Sequence, residues 1–131
     1  MNEPLKEIMT TELITIAPDT PLKKAREILG TYRIHHLPIV NENNVLLGLV
    51  TTWDLFKLEM SPAEYADIPV SEIMTTHLAV LGPDDKIGSA AELFLEHLFQ
   101  AVPIVDEDRH LLGIVTMFDI LKFCFYKTYD Y

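Results

Sequence analysis

The chain has 131 residues, of which 49% are hydrophobic and 23% charged, so it can bury a core and is unlike a disordered chain. Ten Lys and Arg against 20 Asp and Glu give a net charge of -10, which opposes binding to nucleic acid or to an anionic membrane surface. The sequence has no apolar run of bilayer length and no basic-then-apolar signal segment at Met1, so we expect a cytoplasmic protein.

The first predicted elements are a short strand and a helix. Residues 13–16 are apolar or β-branched and lead into Pro18, which predicts a strand. Thr20 and Pro21 have the chemistry of an N-cap and a first helical position. Apolar residues then recur at helical spacing and predict one buried stripe. The stripe consists of Leu22, Ala25, Ile28 and Leu29.

A hairpin and a second helix follow in the chain. Residues 37–40 and 45–50 are apolar and flank the polar residues 41–44, which predicts two strands and a turn. A helix is expected to open near Thr51. The predicted order of elements is therefore β-α-β-β-α.

This order of elements occurs twice, because the chain contains an internal repeat with an ungapped offset of 65 residues. By our count about 21 of about 52 aligned positions are identical between residues 6–57 and 71–122, which is far above chance. We place repeat 1 at residues 1–60, a linker at 61–70 and repeat 2 at 71–131 with a helical extension. Within the linker, Ser61, Pro62 and Glu64 predict a capped short helix. Each copy is small for a complete core, so we expect the copies to pack together about a pseudo-two-fold axis.

The duplicated motifs resemble a tandem CBS-domain pair, also called a Bateman module, as found in stand-alone CBS domain-containing proteins. In repeat 1 the resemblance lies in Ile-Met-Thr at 8–10, Pro-Asp at 18–19, Leu-Pro-Ile-Val at 37–40 and Gly-Leu-Val-Thr-x-x-Asp at 48–54. It implies an α/β (α+β) fold of two β-α-β-β-α repeats and a homodimer of modules. It also implies a regulatory role, in which an adenine-containing ligand binds clefts between the repeats and modulates an effector protein.

The resemblance also implies two ligand-binding clefts, each drawing on both repeats. One cleft would combine Thr116, Phe118, Asp119, Met9, Thr10, Ile14, His35 and His36. The other would combine Thr51, Trp53, Asp54, Met74, Thr75, Ala79, Gln100 and Ala101. Each acid would bind ribose hydroxyls, although a lone Thr-x-x-Asp is more often the pattern of a helix cap. A carboxylate has enough acceptor positions for both roles.

One departure from the family pattern bears on the ligand. Many nucleotide-binding members carry a basic or polar residue directly before the acid, where this chain has Trp53 and Phe118. We therefore favour AMP, adenosine or an S-adenosylmethionine-type ligand over ATP, with the anionic ligands preferring the Asp119 cleft because of its histidines. The two aromatic rings could stack on a base or plug the clefts. Plugged clefts would make the chain a dimerisation or scaffold module without a ligand.

The remaining motifs are more typical of structural roles than of catalysis or metal binding. The sequence has no Ser-His-Asp or Cys-His arrangement and no Gly-rich phosphate loop, so we expect neither catalysis nor a required cofactor. We expect no metal site, because His35 and His36 are adjacent on an extended segment and point to opposite faces. Cys124 lies among aromatic residues and is predicted to pack as an apolar side chain. The aromatic C-terminal segment could pack on its own module or form a dimer surface. It comprises Phe123, Phe125, Tyr126, Tyr129 and Tyr131.

Overall fold

The helices and strands follow the same order in both repeats of the computed structural model, which describes Met1–Tyr129. Repeat 1 contains α1 (Leu22–Tyr32), β1 (His36–Val40), β2 (Leu46–Thr51) and α2 (Thr52–Phe56), followed by α3 (Pro62–Tyr65) in the linker. Repeat 2 contains α4 (Ile87–His97), β3 (Ala101–Val105), β4 (Leu111–Thr116) and α5 (Met117–Tyr129). Short 3-10 turns lie at Leu5–Glu7 and Val70–Glu72. The predicted fold class, mixed helix and strand in two repeats, is confirmed.

Each repeat contributes one antiparallel hairpin, as the sequence predicts. In β1 and β2 the register runs from His36 opposite Thr51 to Val40 opposite Leu46, with a bulge between Ile39 and Val40. The hairpin of β3 and β4 repeats this register and bulge. Side chains of both hairpins and the predicted helical stripes form the cores. The core of repeat 1 includes Leu22, Ala25, Leu29, Leu37, Ile39 and Val50, and that of repeat 2 includes Ile87, Ala90, Phe94, Val102, Ile104 and Val115.

The strand predicted at residues 13–16 is reduced to a single bridge, in which Ile16 pairs with Ile39 in parallel. The amide of Ile16 donates to the Pro38 carbonyl at 3.1 Å, and the amide of Val40 donates to the Ile16 carbonyl at 3.0 Å. The next parallel hydrogen bond upstream would need an amide on Pro38, and the next one downstream an amide on Pro18. Proline has no amide hydrogen, so the ladder stops on both sides. Repeat 2 shows the same single bridge, between Leu81 and Ile104.

Helix α1 begins one residue later than predicted. Pro21 has extended backbone angles and is the N-cap, and no side chain caps the helix. The linker supplies the acceptors: the amide of Leu22 donates to the Ile68 carbonyl at 2.8 Å and that of Lys23 to the Ala66 carbonyl at 3.0 Å. Because backbone carbonyls already satisfy these free amides, the Thr20 hydroxyl is not needed as a cap. Ser61 caps α3 through the predicted box with Glu64.

The compact units of the fold are not the two sequence repeats. The first unit is Ile14–Leu78, and the second joins Met1–Leu13 to the chain from Ala79 onward. The N-terminal segment is hydrogen-bonded into the second unit, for example from the Leu5 amide to the Asp85 carbonyl at 2.8 Å. Its Glu3 pairs with Lys127 of α5, and this ammonium together with the terminal amine lowers the pKa of Glu3 to about 2.

The aromatic C-terminal segment continues α5, as predicted. Phe125, Tyr126 and Tyr129 are exposed, and Phe123 is partly buried against the core of the second unit. Tyr131 lies outside the described residues. Cys124 is exposed, so its prediction as a packed apolar side chain is wrong; its position on α5 turns it away from the core. None of the helices within Met1–Tyr129 is long and apolar enough to cross a membrane.

Candidate functional site

The first unit carries a Thr-Asp corner where β2 passes into α2. The amide of Asp54 donates to the Thr51 hydroxyl at 3.1 Å, and the amide of Thr51 donates to Asp54 Oδ2 at 2.8 Å. Together these bonds form a reciprocal capping box. Asp54 is only 8% exposed. The predicted capping role is therefore present.

The second unit repeats this corner between β4 and α5. The Thr116 amide and hydroxyl both donate to Asp119 Oδ2, at 2.8 and 3.0 Å, and the Asp119 amide donates to the Thr116 hydroxyl at 3.2 Å. Asp119 is 9% exposed. In both units capping uses Oδ2, so a ligand role for either acid depends on Oδ1.

The two corners differ in what lies beside Oδ1. Lys57 follows Asp54 by three residues, and its ammonium nitrogen lies 3.4 Å from Asp54 Oδ1. The corresponding Lys122 instead lies over the Phe118 ring, 5.3 Å from its centroid. Among the described residues, Asp119 Oδ1 has no hydrogen-bond or ion-pair partner. The second corner therefore presents a carboxylate oxygen that is not neutralised by the protein.

Lys57 and Lys122 are residues near the site that the sequence reasoning did not single out. They are the last identical pair of the repeat alignment, and each lies three positions after its acid, Lys57 as the C-cap of α2 and Lys122 within α5. This spacing brings two side chains onto one helical face. The combination of repetition and spacing was the signal that could have identified them.

The Met-Thr segments lie beside the same corners through backbone pairing within each unit. Thr10 bridges Ile114 of β4, and Thr75 bridges Leu49 of β2. The close approach depends on glycine, because a Cβ added to Gly113 would lie 2.8 Å from Met9 Sδ and one added to Gly48 would lie 2.7 Å from Met74 Sδ. Each acid thus shares a unit with one predicted Met-Thr pair.

The remaining predicted site residues divide between the units. Ile14, His35 and His36 belong to the first unit, whereas Ala79, Gln100 and Ala101 belong to the second. Ile14 packs against the core of the first unit. His36 pairs with Thr51, and Ala101 pairs with Thr116. Each unit therefore contains residues predicted for both clefts.

The two histidines have different surroundings. His35 is exposed, with its Nδ1 3.5 Å from the Thr52 hydroxyl. His36 is half-buried, and burial together with the neighbouring His35 lowers its pKa, while the Asp54 carboxylate opposes the shift. His36 therefore favours the neutral form. Within Met1–Tyr129, no group of three or more His, Cys, Asp and Glu side chains could hold a metal ion.

The aromatic residues that precede the acids lie on the surface of their units. Trp53 and Phe118 are each 63% exposed. The Trp53 ring stacks on Phe56 of the same helix, with 5.4 Å between ring centroids. Their rings are therefore not part of either core.

The CBS domain model matches residues 5–61 and 70–126. The chain belongs to the CBS domain family. It is 30% identical to the CBS domain-containing protein YhcV of Bacillus subtilis, over 88% of this chain and 81% of that protein. It spans 22% of the length of the first curated relatives that it matches, an inosine-5'-monophosphate dehydrogenase of Aquifex aeolicus and a homoserine O-acetyltransferase of Methanocorpusculum labreanum.

Solved CBS structures share this fold. The CBS domain pair of protein MJ0100, in complex with 5'-methylthioadenosine and S-adenosyl-L-methionine, is 30% identical, with a TM-score of 0.83 over 97% of this chain and 99% of that chain. CBSX2 in complex with AMP is 26% identical, with a TM-score of 0.86 over 96% and 98% of the two chains. The resemblance inferred from the repeated motifs is confirmed.

Proposed function

We propose that this CBS pair is a regulatory module that binds an adenine-containing ligand and relays its occupancy to a partner protein. The observation that carries the proposal is the repeated Thr-Asp corner, in which Oδ2 of a buried acid caps a helix and Oδ1 takes no part in the capping. A carboxylate oxygen in this position can accept a hydrogen bond from a ribose hydroxyl. The adenosine compounds bound by two similar CBS structures support this ligand class.

The ligand we favour carries little phosphate: adenosine, AMP or an S-adenosylmethionine-type compound. Trp53 and Phe118 stand where many family members have a basic or polar group, and the net charge is -10. A triphosphate would bring several negative charges toward this chain. The positive sulfonium of S-adenosylmethionine has the opposite, favourable charge.

Of the two corners, we propose that the one at Asp119 binds the ligand more tightly. The Lys57 ammonium competes for Asp54 Oδ1 at 3.4 Å. A ribose hydroxyl at Asp54 shares its acceptor oxygen with that ammonium, whereas at Asp119 it meets an unpaired oxygen. The proposed difference is modest, because Lys57 is largely exposed and such pairs contribute little.

We also propose that the module is a homodimer. Large apolar side chains are exposed along one side of α5 at spacings of three and four residues. They are Phe118, Leu121, Phe125 and Tyr129. This surface is also what favours the second candidate function, a dimerisation module that binds no ligand.

Titration calorimetry with adenosine, AMP, S-adenosylmethionine and ATP tests the proposal. Asp119→Asn should weaken binding about ten- to a hundredfold, because a charge-assisted hydrogen bond is worth about 1.5–3 kcal/mol. Asp54→Asn should weaken binding at its own corner, and Asp67→Asn, at an exposed position, controls for the lost charge. Loss of the capping interaction alone should cost about 1 kcal/mol of stability or less.

Two results would contradict the ligand role. If Asp54→Asn and Asp119→Asn bind every compound as the wild type does but melt several degrees lower, the acids are caps only. If the wild type binds none of the four compounds at millimolar concentration, the ligand-free dimerisation module is favoured.

A further inference from the structure

A cleft that borders the first Thr-Asp corner at Thr52, but contains neither acid, lies within the first unit. It has a volume of about 950 Å³ and is bounded by the C-terminal half of α1, by α2 and by α3. Apolar side chains line its inner surface, including Leu29, Ile34 and Leu55. Its volume is within the range of about 300–1,000 Å³ that small-molecule sites occupy.

Two arginines from α1 and its end line this cleft. Arg26 and Arg33 are seven residues apart, about two helical turns, and both are exposed. Among the described residues, neither guanidinium forms an ion pair or a hydrogen bond. One acid, Glu27, also lines the cleft, and its carboxylate likewise has no partner among them. Unpaired arginines are notable in a chain with 20 acidic and 10 basic residues.

The internal repeat provides a comparison that separates function from fold. At the offset of 65, Arg26 corresponds to Ala91 and Arg33 to Leu98. Gly30, which lines the cleft, corresponds to Leu95. The same helix forms in repeat 2 with these apolar residues. The basic pair and the open position at Gly30 are therefore not requirements of the fold.

Position Gly30 shows how the cleft is kept open. A Cβ added there would meet no atom within 4 Å. A larger side chain at this position would project into the cleft without displacing the backbone. The linker helix α3 adds Pro62 and Tyr65 to the lining, and within Met1–Tyr129 repeat 2 is followed by no such helix.

We propose that this cleft binds an amphipathic organic anion, a carboxylate or sulfonate with an aliphatic or aromatic body. The apolar lining covers the body, and Arg26 and Arg33 hold the anionic group. Guanidinium groups bind two oxygens of one oxyanion through paired N–H donors and are less strongly hydrated than ammonium groups. The cleft contains neither Asp54 nor Asp119, although His35, which is predicted for the Asp119 ligand, also lines it. The two proposals remain separable, because Arg26 and Arg33 are not among the residues predicted to bind the adenine ligand.

The test uses 1-anilinonaphthalene-8-sulfonate as the probe and decanoate as a competitor, with fluorescence titration of the full chain. The double variant Arg26→Gln/Arg33→Gln should weaken the probe about five- to tenfold, as expected for two exposed charge contacts. The matched control is Lys23→Gln/Lys24→Gln, which removes the same charge from the same helix at exposed positions outside the cleft. The control should bind as the wild type does.

A steric variant tests the cleft without changing charge. Gly30→Leu introduces the residue found at the corresponding position of repeat 2 and should abolish decanoate-sensitive probe fluorescence while the melting temperature is retained. Equal weakening in the arginine and lysine double variants would show a bulk charge effect and overturn the proposal. Probe binding that is absent, or unchanged in both Arg26→Gln/Arg33→Gln and Gly30→Leu, would also overturn it.

Discussion

The alanine substitution Gly113→Ala tests how closely the Met-Thr segment approaches β4. The added Cβ would lie 2.8 Å from Met9 Sδ and 2.9 Å from the Thr10 carbonyl oxygen. The methionine side chain can rotate away, but the carbonyl belongs to the backbone. It accepts a hydrogen bond from the Ile114 amide at 3.0 Å, while the Thr10 amide donates to the Ile114 carbonyl at 2.9 Å. The segment must therefore move by about half an ångström to restore ordinary contact distances.

The expected cost follows from two opposing terms. Forcing a methyl group into a packed site costs about 1–3 kcal/mol, and replacing glycine recovers about 0.4–1 kcal/mol through the unfolded chain. We expect a net loss of about 1–2 kcal/mol, or roughly 3–6 °C in melting temperature. Gly48→Ala should behave alike, because its Cβ would lie 2.9 Å from the Thr75 carbonyl oxygen.

Gly30→Ala is the matched control. It adds the same methyl group at a position within α1 where no atom would lie within 4 Å of it. Alanine is favoured over glycine in a helix by about 0.5–1 kcal/mol, so this variant should melt at a higher temperature than the wild type. Thermal melts and urea titrations of the three variants measure the effect, with an unchanged m-value showing that only stability has changed. Gly113→Ala and Gly30→Ala shifting stability in the same direction by similar amounts would refute the reasoning.

Three further predictions concern protonation, capping and assembly. Because the pKa of His36 is lowered in the folded state, the unfolded chain binds more protons, and stability should fall as the pH drops below about 6.5. Urea titrations across pH should show that stability falls less in His36→Gln than in the wild type. The exposed control His77→Gln should lose as much stability as the wild type. Thr51→Ala and Thr116→Ala should each lower the free energy of unfolding by about 0.5–2 kcal/mol, and a change within measurement error would show that the boxes at these helix starts contribute nothing. Light scattering should report a dimer at tens of micromolar that Leu121→Asp/Phe125→Asp converts to monomer, and a wild-type monomer would contradict the homodimer.

Local signals in the sequence were enough to predict much of this molecule. The hairpins, the buried stripe from Leu22 to Leu29 and the capped starts of α2 and α3 all depend on residues close together in the sequence. Hydrogen bonds in a capping box join residues three apart, and a helical stripe depends only on a period of 3.6 residues. Such features need no knowledge of what packs against them.

Features that depend on distant partners were decided by the tertiary structure. The strand at residues 13–16 is a single bridge because its pairing partner contains Pro38. Thr20 is not a cap because the first amides of α1 donate to carbonyls of the linker. The arginine cleft needed α1, α2 and the linker helix to be placed together. The bridge, the helix cap and the cleft each depend on contacts between groups that are far apart in the sequence. Patterns of residue types at short spacing do not predict such contacts.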